Sequence, residues 1–329
     1  MSDVIVLASN RPANRFYRGG LQVTRFRGEA DAPDHEPEDW VASTTAVAGE
    51  PEQGVTVLPD GRRLDDAVAA DPQWWFGAVH TERFGADAKL LVKLLDAGQR
   101  LPVHAHPHRD FAKAALGRAH GKAEAWYILR GGTVHLGLTR AVDAAELADL
   151  VARQDTEALL GLLHRREVAP GDVVYVPPGV LHAIGEGVLL LELQEPEDLS
   201  ILLEWRGFAL DGERDGHLGL GFDVALGAVD HSALDEHRLD SLVASPAPGD
   251  DALPAEAASY FRLERIQLDG AITLEPGFAV VVITAGSVQV TDGPALPKGS
   301  TALIPFAAGA VEFSGRGEVL IARPPRAEE

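Results

Sequence analysis

His104 and His106 stand two residues apart in the run LPVHAHP (101–107). In an extended strand that spacing puts both imidazoles on one face, about 6.5–7 Å apart along the chain. Glu124 follows, at the head of the strand-like run Ala125 to Leu129. Further on, GDVVYVPPGVLHAIG (171–185) reads as a strand that ends at the Pro177-Pro178-Gly179 turn, after which His182 begins the return strand. Three imidazoles and one carboxylate are a ligand set for zinc, manganese, iron, nickel or cobalt. The chain has no cysteine, so thiolate sites and disulfides are excluded.

Strands must carry these residues, and the surrounding text is strand-like. Lys89 to Ala97 (KLLVKLLDA) is an apolar run ended by Gly98 and reads as a buried strand. Further strands are expected over 172–176, 188–194 and 200–205. Two segments break the pattern: 143–153 and 156–165 are rich in Ala, Leu and Glu with apolar residues at i, i+3 and i+4, and predict helices, with Asp155 as N-cap of the second. The first 85 residues mix Pro, Gly and Asp with short apolar runs and read as short strands and loops, with one helical piece near Leu64 to Ala70. Residues 241–258 read as a surface linker, and 261–323 as compact β structure. A weak repeat spans the chain: YILRGGTVHLGL (127–138) resembles VVITAGSVQVTD (281–292), and Gly171 to Pro177 resembles Gly299 to Pro305.

With 329 residues and 46% hydrophobic content the chain can bury a sizeable core, which excludes a disordered reading. The net charge of -21 makes nucleic acid an unsuitable partner, because no basic surface is available to neutralise phosphates. The apolar run Val4 to Ala8 is too short for a signal segment, and no stretch is long enough to span a membrane. A cytoplasmic setting is expected, and the oligomeric state is not legible.

The histidine and glutamate spacing resembles the two cupin signatures, H-x-H…E…G and G-x5-P-x-G-x2-H; Gly171, Pro177, Gly179 and His182 meet every fixed position of the second. Over most of residues 15–200 the chain also resembles the type I mannose-6-phosphate isomerases, especially the short bacterial kind. The matching pieces are RFYRGG, PEDWVAST, LLVKLLDAGQRLPVHAHP, GKAEAWYIL, VAPGDVVYVPPGVLHAIG and VLLLELQEPEDLS. The resemblance implies a mostly β fold of two cupin-type antiparallel jelly-roll barrels with a small helical insertion near 141–166. It divides the chain into a metal-binding catalytic domain (1–240), a linker (241–258) and a ligand-free C-terminal cupin-like domain (259–329).

The family uses one zinc ion to interconvert an aldose phosphate and a ketose phosphate. His106, Glu124 and His182 fall on its ligand positions; His104 stands where the family usually has Gln, and completes a His3Glu set. Glu192 matches a family acid by its spacing from His182, which implies a base or acid–base relay. Lys93 matches a family lysine that could donate to a substrate oxygen. The expected reaction is therefore conversion of mannose 6-phosphate to fructose 6-phosphate, or a close relative.

One departure bears on substrate. The family's short members carry T-Y-R-x-Y-D after the strand that holds the acid, and the position of its Arg reads Leu202 here. Arg206 lies four residues on, the same strand face by parity, and is expected to substitute in part. Lys93, Lys113, Lys122 and Arg206 are the phosphate candidates, and Glu204 would repel a phosphate if it faced the pocket. His108, His120, His135 and His164 belong to neither signature and are expected to be structural or exposed. An isomerase of an unphosphorylated or modified sugar, a non-catalytic sugar-binding metal protein and an oxygenase of the same superfamily are the rival readings.

Overall fold

The computed structural model describes residues 3–30, 33–249 and 251–327. It is mostly β, in three antiparallel sheets. The first has the order Val243–Ala244, Val173–Val176, Glu124–Arg130, Leu189–Gln194, Leu91–Asp96, Glu38–Val41. The second runs Ile201–Leu202, His104–Ala105, His182–Ile184, Gly132–Leu138, Leu163–Val168. The third runs Ile5–Leu7, Thr301–Ile304, Ala279–Val290, Val311–Arg323, Arg262–Leu274, with Ala295–Pro297 added beside Ala279–Val290. Each sheet is open among the described residues.

The continuous apolar runs have a packing cause. Leu91–Asp96 and Leu189–Gln194 are buried at every position, so both faces of these two strands are covered and no polar alternation is required. One core joins Val134, Leu136 and Ile184 of the second sheet to Ile128, Leu190 and Val92 of the first. The same core takes in Val280, Val282, Leu320 and Ala322 of the third sheet. Their strand neighbours Ala279, Val281, Ile283, Val319 and Ile321 point the other way, into that sheet's own core. This is the period of two of a strand buried on both faces. Trp126 is fully buried in the shared core, and truncating it to Ala would cost roughly 3–5 kcal/mol.

The repeat read from the sequence recurs as pairing. Glu124–Arg130 pairs antiparallel with Val173–Val176, and Ala279–Val290 pairs likewise with Thr301–Ile304. The helical piece Leu64–Ala70 lies where expected, and so does Ala144–Arg153; the helix expected over 156–165 ends at Gly161, because Leu163–Val168 pairs as a strand with Gly132–Leu138. Asp143 and Asp155 cap the helices that start at Ala144 and Thr156 by accepting the amides of Glu146 and Ala158 at 2.7 and 3.2 Å.

Three early helices, Leu21–Arg27, Pro72–Phe76 and Ala78–Phe84, stand where the sequence predicts strands and loops. Each is too short to develop a 3.6-residue period, and Trp75 and Phe76 bury themselves in the tertiary core. The strand expected over 200–205 shrinks to Ile201–Leu202. Beyond it the amides of Trp205 and Arg206 bond to the Gln154 side-chain oxygen, at 2.7 and 3.3 Å, instead of to a neighbouring strand. No helix among the described residues is long and apolar enough to cross a membrane.

Candidate metal centre and active-site cleft

The two inner sheets meet at the histidines. His104 and His182 are register partners on adjacent antiparallel strands, with ring centroids 4.0 Å apart. The strand carrying His104 ends at Ala105, and the chain turns at Pro107, so the His106 ring leans back to 4.9 Å from both other rings. Two glycines allow this turn to be tight. Gly179, at φ 87°, donates its amide to the His106 carbonyl at 2.8 Å. A Cβ on Gly121 would lie 2.4 Å from the Pro107 carbonyl oxygen, which receives the Lys122 amide.

Each imidazole is oriented by its other nitrogen. The Nδ1 atoms of His104, His106 and His182 lie 2.8, 2.7 and 2.9 Å from the carbonyl oxygens of Pro102, Leu199 and Val180. A carbonyl only accepts, so each Nδ1 carries the hydrogen and each Nε2 is a lone-pair donor. Burial, followed by the charge of Lys122, pushes His106 down to about 3; burial and the neighbouring imidazoles push His104 well below its ordinary value. His104 and His106 are therefore neutral, the form that ligates a cation.

Glu124 faces them from the first sheet. Its Oε2 lies 3.0 Å from His106 Nε2 and its Oε1 3.2 Å from His182 Nε2. Burial works against ionising Glu124, but Lys122 and the histidines outweigh it and hold its carboxyl well below the usual range. Lys122 Nζ, 3.0 Å from both atoms, relieves the Glu124–His106 pair, but the Glu124–His182 pair has no such partner and repels unless a cation stands beside it. His182 Nε2 is buried with no hydrogen-bond donor. The three histidine ligand atoms lie within 4.8 Å of one another. The donor set thus fits a divalent metal ion, with neutral imidazoles fixed through their far nitrogens.

A cleft leads to this cluster, and the first sheet forms its floor. Trp126, Glu192, Lys93 and Trp40 stand in register across four strands, with Gln194 opposite Glu124 in the neighbouring row. Lys93 Nζ lies 3.4 Å from Glu192 and 3.5 Å from Glu38 and 4.7 Å over the Trp40 ring. Burial disfavours its charge, yet the two carboxylates outweigh burial and raise its pKa. Glu38 also accepts Tyr17 Oη at 2.7 Å and Trp40 Nε1 at 2.6 Å. Burial and then the Glu124 charge raise the Glu192 pKa despite Lys93, and its Oε1 receives no hydrogen bond. A buried carboxyl poised above its ordinary value beside a cation-binding cluster suits proton transfer.

The mannose-6-phosphate isomerase ManA of Bacillus subtilis is 27% identical over 263 residues, covering 75% of this chain and 77% of the relative. That of Streptococcus mutans is 27% identical over 306 residues, covering 86% and 89%. The chain is a relative of the mannose-6-phosphate isomerases. The fold agrees: the crystal structure of the Bacillus subtilis mannose 6-phosphate isomerase superposes with a TM-score of 0.75 over 98% of this chain and 100% of its own, at 23% identity. No family model matches the chain.

Against that background the anticipated isomerase residues fall into two groups. His104, His106, Glu124, His182, Lys93 and Glu192 come together within one buried cluster and its cleft. Arg206 does not. The strand stops at Leu202, parity no longer applies, and Arg206 is exposed and does not line the cleft, whereas Leu202 does. Lys113 is exposed on a helical turn (Ala112–Leu116).

The cleft's guanidinium is Arg15, paired with Glu38 at 3.3 Å and with Asp198 at 3.2 Å. Asp198 also accepts the Ala48 amide at 3.2 Å. Arg15 begins the RFYRGG match, but no spacing tied it to the histidines, so nothing in the sequence singled it out. Lys122, a phosphate candidate by sequence, instead reaches the histidine cluster, 3.0 Å from both Glu124 and His106.

Glu204 turns away. It is bidentate to Arg100, at 2.5 and 2.9 Å, and accepts the Val103 amide at 3.0 Å. Of the other histidines, His108 is exposed, His164 bonds the Leu234 carbonyl at 2.6 Å, and His135 Nδ1 is buried without a partner. His120 is buried and paired 2.6 Å from Asp87.

Proposed function

We propose that this chain is a metal-dependent aldose–ketose isomerase that interconverts mannose 6-phosphate and fructose 6-phosphate or a close relative. The observation that carries the metal part is His182 Nε2, buried without a hydrogen-bond donor 3.2 Å from Glu124, in a group of three histidines whose ligand atoms lie within 4.8 Å of one another. Isomerisation moves a proton between C1 and C2, and the carbon acid is weak until the adjacent carbonyl is polarised. A bound divalent ion supplies that polarisation; zinc is the ion this reading names, with manganese, iron, nickel and cobalt as the other fits to His104, His106, Glu124 and His182.

The chain's own residues do the rest. Glu192 takes the proton from one carbon and returns it to the other, which needs an accessible carboxylate and one that is not too weak a base. Its raised pKa supports that assignment. Lys93, across the strand pair, holds Glu192 and Glu38 in place and offers a cation to a substrate oxygen. Tyr17, Trp40 and Arg15 fix Glu38 and so fix Lys93. Arg206 is outside the cleft and has no part in this reading.

The orientation of Glu204 supports the phosphosugar, because its charge is neutralised by Arg100 away from the cleft. A second reading, an isomerase of an unphosphorylated sugar, is favoured by one observation: each cleft cation, Arg15, Lys93 and Lys122, is already paired with a carboxylate. The same proposal includes a cytoplasmic setting and two cupin-type halves. Residues 1–240 form the catalytic part in it, 241–258 the connection and 259–329 a supporting part, which contains no histidine. Kinetics on mannose 6-phosphate, mannose and fructose, each with zinc and with manganese, test both readings. Ketose formation from the phosphosugar at the higher kcat/KM supports the first, and a preference for the free sugar supports the second.

A further inference from the structure

Lys122 is almost fully buried, and its Nζ stands 3.0 Å from His106 Nε2 and 3.0 Å from Glu124 Oε2. Those two atoms are themselves 3.0 Å apart. The three close a triangle at the edge of the ligand cluster. His106 Nδ1 is committed to the Leu199 carbonyl, so its Nε2 has one in-plane lone pair. That lone pair serves the Lys122 ammonium or a metal ion, but not both at once. No other cleft cation touches a cluster atom in this way: Lys93 is held by Glu38 and Glu192, and Arg15 by Glu38 and Asp198.

We propose that Lys122 is a built-in competitor of the metal. It lowers the affinity of the histidine cluster for a divalent ion. When an ion binds, the Lys122 ammonium gives up His106 and turns into the cleft that it lines. There it joins Lys93 in facing an electronegative oxygen of the substrate. The inference rests on the metal reading of the cluster and adds an order to it, in which the ion binds before the ammonium is available. By linkage, a ligand that holds the released ammonium tightens the ion in turn.

The test is a titration of the chelator-stripped full-length protein with cobalt(II) alone, followed by visible absorption and by calorimetry. A hydrogen bond to a charged group is worth enough to alter affinity by about tenfold. Lys122→Met is therefore expected to bind cobalt(II) about tenfold or more tighter than the unsubstituted chain. Lys122→Arg should stay near it, and Lys93→Met, which removes a charge but frees no ligand atom, should change by less than about threefold. Lys122→Ala replaces the Met variant if that one does not fold. Equal or weaker cobalt(II) binding by the folded Lys122 variant, with the unsubstituted chain binding normally, overturns the competitor role and leaves the metal reading intact. No cobalt(II) binding by the unsubstituted chain overturns the metal reading itself, and the competitor role with it.

Discussion

Glu192 and Lys93 face each other across neighbouring antiparallel strands, with Nζ 3.4 Å from Oε1, and both are buried. The pair joins a carboxyl that burial has made a stronger base to the cation that limits how far this goes. Glu192→Gln keeps the shape and removes the base. It should lower kcat by at least ~10²-fold, the ordinary worth of a positioned acid–base group, with metal content unchanged. A variant that keeps full turnover would show that the proton moves elsewhere.

The same pair sets an expectation for pH. Burial, then the Glu124 charge, raises the Glu192 pKa. A base must be ionised to act, so activity should fall as pH drops, through a midpoint above the ordinary glutamate value of about 4.3. Lys93→Met removes a cation that favours the carboxylate and should move the acid limb of the kcat/KM profile further up. A limb that stays fixed or moves down contradicts the coupling.

The ligand set predicts graded metal loss. His106→Ala, Glu124→Ala and His182→Ala should each strip most of the metal from purified protein, and His104→Ala should weaken its retention. Elemental analysis reads this out, and unchanged content in all four variants would end the metal assignment.

Arg15 and Arg206 should part company. Arg206 is exposed and its side chain meets nothing in the cleft, so Arg206→Ala should leave kcat/KM and stability within about twofold and ~0.5 kcal/mol. Arg15→Met takes the guanidinium from the buried Glu38, which keeps Lys93, and from the half-buried Asp198, and should cost roughly 1–3 kcal/mol in denaturant unfolding. Comparable effects from the two variants would contradict this placement.

His120 gives a prediction about stability alone. Burial lowers its pKa, but Asp87 and Glu195 outweigh burial and leave it raised. A raised imidazole stabilises the fold fully below its unfolded value of about 6.5, and that contribution is lost as pH rises through the folded value. His120→Gln should therefore destabilise the chelated protein more at pH 6 than at pH 9. An equal loss at both would make the Asp87 contact a neutral hydrogen bond.

The histidines were legible because metal chemistry restricts residue type and spacing together. Gly171, Pro177, Gly179 and His182 encode a strand, a turn and a candidate ligand in one short stretch. Glu192 and Lys93 were legible by analogy, since parity places them on the same sheet face but says nothing of what they meet. Arg15 was missed because it reaches the cleft through tertiary packing from a segment with no period of its own. Arg206 was misjudged because a side chain far upstream, Gln154, takes the amides that would have extended the strand. The early helices were missed for the related reason that their stability comes from the core they join and not from their own pattern.

The most direct test of the account is conversion of mannose 6-phosphate to fructose 6-phosphate by protein stripped with a chelator and then reloaded with zinc or manganese. The account predicts no turnover by the stripped protein and restoration on reloading, with kcat/KM of ~10⁴ M⁻¹s⁻¹ or more. Turnover that survives complete removal of the metal, or none on any phosphorylated or free sugar after reloading, would contradict it.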